Sequence, residues 1–267
     1  MADDQSAPRG GQVLVTREGR ITRITLSSPG KKNAISQAMY RTMRDALNDS
    51  AASPDVNVVV IQGADGLFTS GNDVADFGGP APGEATAGEK AMSFQFLEAI
   101  ATFPKPIVAQ VEGLAIGVGC TMLLHCDAVY AADDTRFQLP FVNLGLVPEA
   151  ASSYLLPRMM GAARASELVL FGEMFTAAVA QEVGIVAQVL PKAALAAHVQ
   201  KRAEALAAKA PGALRHTKAL LRKVSSAGVL ERMAEEGEVF AAAVAGPEFA
   251  EALSAFQAKR APDFSKF

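Results

Sequence analysis

The chain has 267 residues, half of them hydrophobic and a fifth charged, and a formal net charge of -3. That length suits one sizeable core with an appendage. The charge balance gives no basic surface for nucleic acid or an anionic membrane. With no Trp and only 3 Tyr, there is little from which to build a base-stacking platform.

Residues 1–10 are polar and lack the apolar stretch of a signal peptide, so a loose tail is expected there. Segment 113–124 is the longest apolar run, too short to span a bilayer and closely flanked by Glu112 and Asp127. Cys120 and Cys126 have no second pair and do not make a zinc spacing, so both read as reduced core thiols. A cytoplasmic protein is the simplest expectation.

In chain order, segments 13–16 and 21–26 predict two strands around a Glu18-Gly19 hairpin turn. Ser36 is a candidate N-cap, and Met39, Met43 and Leu47 repeat at helical spacing behind it. A buried strand is expected over 56–62. A helix follows on Phe94, Leu97, Ile100 and Phe103, stopped by Pro104 and Pro106. Strands are predicted at 107–111, 128–131, 136–139 and 186–190, with helices starting at Pro148 and spanning 163–171. From Lys192 onward the pattern is helical only, over 194–210, 213–224, 229–245 and 249–258. The chain therefore reads as a layered α/β core over 11–195 and a helical region over 196–267. Segment 78–88, rich in Gly, Pro and Ala, reads as a loop.

Two Gly-containing turns stand where a strand gives way to a helix: Phe68-Thr69-Ser70-Gly71-Asn72-Asp73 and Gly113-Leu114-Ala115-Ile116-Gly117-Val118-Gly119. Unpaired backbone N–H groups at such turns can meet an anion, and two converging on one oxygen make an oxyanion hole. Tight turns that use glycine for positive φ explain the same residues, and the second segment is neither a P-loop nor a Rossmann fingerprint.

These two segments, together with Gln110-Val111-Glu112 and Cys126-Asp127-Ala128-Val129-Tyr130-Ala131, resemble the crotonase superfamily, the enoyl-CoA hydratase/isomerase group. The likeness covers nearly the whole chain. It implies a ββα spiral core with a C-terminal helical trimerisation region, a homo-trimer or a dimer of trimers, and an acyl-CoA thioester as partner. Coenzyme A would arrive as part of the substrate, so no separate cofactor and no metal are implied. The backbone N–H groups of Ser70 and Val118 would hold the thioester oxygen. Basic and small residues at Lys31, Lys32, Ala34 and Lys266 would meet the CoA, some from a neighbouring subunit. Phe141 and Leu144, with segment 78–88, would line the acyl pocket.

The hydratases of this group use two glutamates, whose positions fall here on Thr121 and Phe141. Neither can activate water or protonate a carbon, so the resemblance argues against hydratase chemistry. Glu149 instead falls where Δ3,Δ2-enoyl-CoA isomerases carry their single catalytic glutamate. Leu139-Pro140-Phe141, Asn143-Leu144-Gly145 and Ser152-Ser153-Tyr154 are similar to the peroxisomal-type isomerases of fatty-acid β-oxidation. Taken alone, Pro148-Glu149 is also an ordinary helix start, with the acid favoured by the helix dipole. The apolar neighbours Phe141, Leu144, Leu146 and Val147 should raise the Glu149 pKa by desolvation, and a helix starting near Val118 should add its positive end.

Among the remaining candidates, Glu112 reads as a paired buried acid and Asp73 and Asp127 as loop braces. His125, His198 and His216 share no motif and read as structural. Two other readings stand beside the isomerase. One is hydration or another crotonase reaction on a different acyl-CoA; the other is an acyl-CoA binding protein without catalysis.

Overall fold

The computed structural model describes residues 11–73, 91–223 and 225–267. The expectations for 1–10 and 78–88 lie outside the described residues. The chain opens with the hairpin β1 (Gln12–Glu18) and β2 (Ile21–Ser27), turned at Gly19 with φ 57°. Helix α1 (Gln37–Ala52) is capped by Ser36, whose side chain accepts from Met39 N–H. Then come β3 (Val58–Gly63), α2 (Met92–Thr102), β4 (Ile107–Val111) and the short β5 (Leu114–Ile116).

A one-turn helix, α3 (Val118–Thr121), runs into a 3-10 turn over Met122–His125. After it lie β6 (Ala128–Ala132), β7 (Arg136–Gln138), α4 (Ser152–Met160), α5 (Ala162–Phe171), β8 (Phe175–Thr176), α6 (Ala177–Glu182) and β9 (Gln188–Leu190). Four helices close the chain: α7 (Lys192–Ala207), α8 (Pro211–Arg222), α9 (Ser226–Val244) and α10 (Pro247–Gln257). Among the described residues, no single helix is long and apolar enough to cross a membrane.

A six-stranded sheet runs β1-β2-β3-β4-β6-β9, antiparallel only at β1/β2. Its strands β3 and β4 carry the apolar runs 58–61 and 107–109 because both faces are covered there. Val58, Val60 and Val108 face Leu195, Val199 and Ala203 of α7, whereas Val59, Ile61 and Ala109 join the main core with α1 and α2. The alternation follows from the strand's period of two. Val229, Met233, Phe240 and Phe249 of α9 and α10 belong to that same main core. A second sheet, β5-β7-β8, stacks Phe137 on Phe175 at 5.7 Å between ring centroids.

The structure corrects three local readings. The Gly-containing turn read over 113–119 carries the strand β5, and β8 carried no sequence signal. No helix begins at Pro148: Ala150 and Ala151 are left-handed, with φ 60° and 54°, and α4 starts at Ser152. The helix expected near Val118 is a single turn, too short for a developed macrodipole.

Candidate active site

The loop after β3 pairs side by side with β5. Thr69 N–H donates to Leu114 O at 2.9 Å and Ile116 N–H to Thr69 O at 3.2 Å. The approach is close enough to demand glycine twice. A Cβ at Gly71, where φ is 94°, would sit 2.8 Å from Ile116 O, and one at Gly119 would sit 2.4 Å from Thr69 Cγ2. This contact brings Ser70 and Val118 to the wall of one cavity of about 560 Å³.

The remaining walls come from four places: the loop Gly30–Ala34, the segment holding Phe141, Leu144 and Leu146, the side chain of Glu149, and the C-terminal helices through Phe240, Phe249 and Phe256. Lys31, Lys32 and Ala34 thus stand at the cavity, with Lys31 Nζ 2.7 Å from Asp73 Oδ2. Lys266 is not among the lining residues; it lies on a C-terminal 3-10 turn, 3.6 Å from Asp263.

The two expected anion donors are not equivalent. Cys120 and Thr121 N–H turn back to Gly117 O, and Val118 N–H takes part in no backbone hydrogen bond among the described residues. Ser70 N–H donates to Lys32 O at 3.0 Å, a bond that the sequence did not foretell. Lys32 and Asn33 are both left-handed, at φ 51° and 54°, which turns the Lys32 carbonyl toward Ser70.

Glu149 is 3% exposed, and its Oε1 has no hydrogen-bond partner. Burial pushes its pKa up to about 8, and the negative charge of Glu236 adds to the effect. Its backbone is fixed, since Ser152 Oγ–H donates to Glu149 O at 2.6 Å. The flanking turn is held from two sides. His125 Nε2 lies 2.8 Å from Ala150 O, and the Glu236 carboxylate accepts from Ala151 N–H at 2.6 Å.

Thr121 is buried within α3, and Phe141 forms apolar wall. Asp127 braces two elements, accepting from Ile107 N–H and Lys218 Nζ. Glu112 is only half-buried and accepts from Gln110 Nε2 at 2.8 Å, so it is hydrogen-bonded to an amide. Glu236 escaped notice in the sequence. Its signal was present, because Val229, Met233, Glu236 and Phe240 form one buried stripe at helical spacing, and an acid in such a stripe needs a partner.

The profile described as enoyl-CoA hydratase/isomerase matches residues 16–266. The chain belongs to the enoyl-CoA hydratase/isomerase family.

A member of this crotonase-fold family from Pseudoalteromonas atlantica, described as enoyl-CoA hydratase/isomerase, superposes with a TM-score of 0.90 at 40% identity, covering 95% of this chain and 100% of that one. Enoyl-CoA delta isomerase 2 of Rattus norvegicus is 40% identical over 222 residues, 82% of this chain and 56% of the rat protein. The match thus spans little more than half of that relative. 2,3-Dehydroadipyl-CoA hydratase of Escherichia coli is 33% identical over 95% of this chain and 98% of its own. The family therefore holds relatives named for both reactions, and the chain is similar to each.

Proposed function

We propose that this family member is a Δ3,Δ2-enoyl-CoA isomerase in which Glu149 is the acid–base residue. The observation that carries the reading is the Glu149 carboxyl: buried, with one oxygen unpartnered, on a cavity whose other acid, Asp73, is paired with Lys31 at 2.7 Å. Moving a double bond from C3–C4 to C2–C3 requires one proton off C2 and one onto C4. A single carboxylate on one face of the substrate does both. It takes the C2 proton, leaving a dienolate with its charge on the thioester oxygen, and returns the proton at C4. A pKa near the working pH suits a group that must both accept and give a proton.

Val118 N–H is the principal donor to the dienolate oxygen in this reading. Ser70 N–H is the second, and the thioester oxygen competes for it with Lys32 O. An oxyanion donor of this kind contributes about 10²–10³ in rate. Phe141 and Leu144 pack the acyl chain, Lys31, Lys32 and Ala34 flank the CoA, and Lys266 meets the CoA of a neighbouring protomer in a trimer or hexamer. The pathway we assign is fatty-acid β-oxidation.

The test is turnover of a 3-enoyl-CoA by the wild type and by Glu149→Gln, with CoA binding measured in parallel. The variant should lose about 10³-fold in rate and keep its affinity. A wild type that only hydrates 2-enoyl-CoA would overturn the isomerase reading in favour of the hydratase. Affinity without turnover on either substrate would make the protein an acyl-CoA binder.

A further inference from the structure

The Glu149 loop is unusual in its backbone. Ala150 and Ala151 are consecutive left-handed residues, a conformation that a Cβ disfavours, and neither is glycine. Something outside the loop must hold it. The N-terminus of α4 also lacks a cap of its own, since the N-cap residue is Ala151 and makes no side-chain hydrogen bond.

His125 holds Ala150 O from one side, and a side chain 85 residues away both caps the helix and holds the turn from the other. Glu236, on α9, is 6% exposed. Its Oε2 accepts from Ala151 N–H at 2.6 Å, and its Oε1 accepts from Ser153 N–H at 2.9 Å and Ser153 Oγ–H at 2.5 Å. Two backbone N–H donors and a hydroxyl at one carboxyl favour its ionised form. Glu236 therefore caps α4 in trans and clamps the turn that carries Glu149.

We propose that Glu236 is a positioning residue for the Glu149 base, holding the left-handed turn that presents its carboxyl to the cavity. The inference rests on Glu149 being that base. The clamp has an electrostatic consequence, because it puts a second negative charge beside Glu149 in a buried setting. The other charged and titratable groups around the loop do not cancel it. Arg232 of α9, paired with Glu235 at 3.0 Å, acts on Glu236 by favouring its ionised form, and Arg158 of α4 lies over the Tyr154 ring. His125 is held neutral against Ala150 O, with Lys218 and Arg222 of α8 behind it at Asp127. Burial raises the Glu236 pKa, and its three donors oppose that rise.

The experiment follows kcat and KM for a 3-enoyl-CoA against pH in wild type, Glu236→Gln and Glu236→Asp. Each variant is made alone and with Ala151→Gly, which tolerates the left-handed turn and keeps the protein folded if the clamp is essential. Glu149→Gln is the control. Glu236→Gln should lower kcat about 10-fold to 100-fold at unchanged KM, and move the midpoint of the pH profile down by about one unit as the neighbouring charge disappears. Glu236→Asp keeps the charge but withdraws the carboxylate, so kcat should fall while the midpoint holds. Ala151→Gly should restore melting temperature to Glu236→Gln and leave its midpoint low. An unmoved midpoint in Glu236→Gln, with or without a loss of kcat, makes Glu236 a helix cap only and overturns the proposal while leaving the base reading intact. Full activity in Glu149→Gln overturns both.

Discussion

His125 Nε2 lies 2.8 Å from the carbonyl oxygen of Ala150, so a ring from the turn after α3 holds the residue next to Glu149. Burial pushes the His125 pKa down to about 4, with the charges of Arg222 and Lys218 adding to the effect and the Ala150 bond opposing it. A neutral ring donating Nε2–H satisfies that geometry. The unfolded chain takes up this proton near the ordinary histidine value of 6.5, well before the folded one does. The contribution to stability is thus complete above that value and is lost as pH falls through about 4. Urea unfolding at pH 7 and 4.5 should show wild type losing about 2 kcal/mol more than His125→Gln between the two.

Glu149 acts in the opposite direction. Its pKa is raised from 4.5 to about 8 on folding, so its contribution is complete below the lower value and is lost as pH rises through the upper one. Glu149→Gln should therefore match wild type in stability at pH 4 and exceed it at pH 9 by on the order of 5 kcal/mol. The same urea titrations measure this. A variant that loses activity and gains alkaline stability is the signature of a carboxylate kept in an unfavourable place for use.

Lys218 and Asp127 join α8 to the core. Lys218 Nζ is 2.7 Å from Asp127 Oδ2 and donates to Lys105 O at 2.7 Å, with its side chain 9% exposed. Asp127→Asn would leave that ammonium buried without its counter-charge, and should cost about 3 kcal/mol in thermal or urea unfolding. Lys218→Met should cost less, because Asp127 is more exposed and retains Arg222 at 3.3 Å.

The contact between Gly119 and Thr69 is steric and can be tested by compensation. Gly119→Ala places a Cβ 2.4 Å from Thr69 Cγ2 and should cost about 2 kcal/mol while displacing the Val118 turn. Thr69→Ser removes that methyl and keeps the hydroxyl bonded to Asn33 O at 2.7 Å. The double variant should recover part of both stability and turnover, measured by thermal unfolding and 3-enoyl-CoA isomerisation.

Much of the architecture is local and therefore legible from the chain itself. The apolar runs of β3 and β4, the Ser36 cap with Met39 and Met43 behind it, and the Glu18-Gly19 turn each depend on neighbours a few residues away. The ordered motifs around Ser70, Val118 and Glu149 pointed to one family, and all three residues line one cavity. Periodicity and motif order carry that much because backbone sterics and burial of one face act within a turn or a strand.

Other features arise only when distant segments meet. Leu114–Ile116 becomes a strand because β7 pairs with it, and the N–H of Ser70 is taken because two left-handed residues turn the Lys32 carbonyl toward it. A helix did not begin at Pro148 because Glu236 and His125 hold Ala150 and Ala151 in another conformation. Those partners are remote in sequence, and no window read along the chain contains both ends of the contact. Motif order along the chain singled out candidates for chemistry; folding, by joining remote segments, set which of them are buried, which are left unpartnered, and what holds them in place.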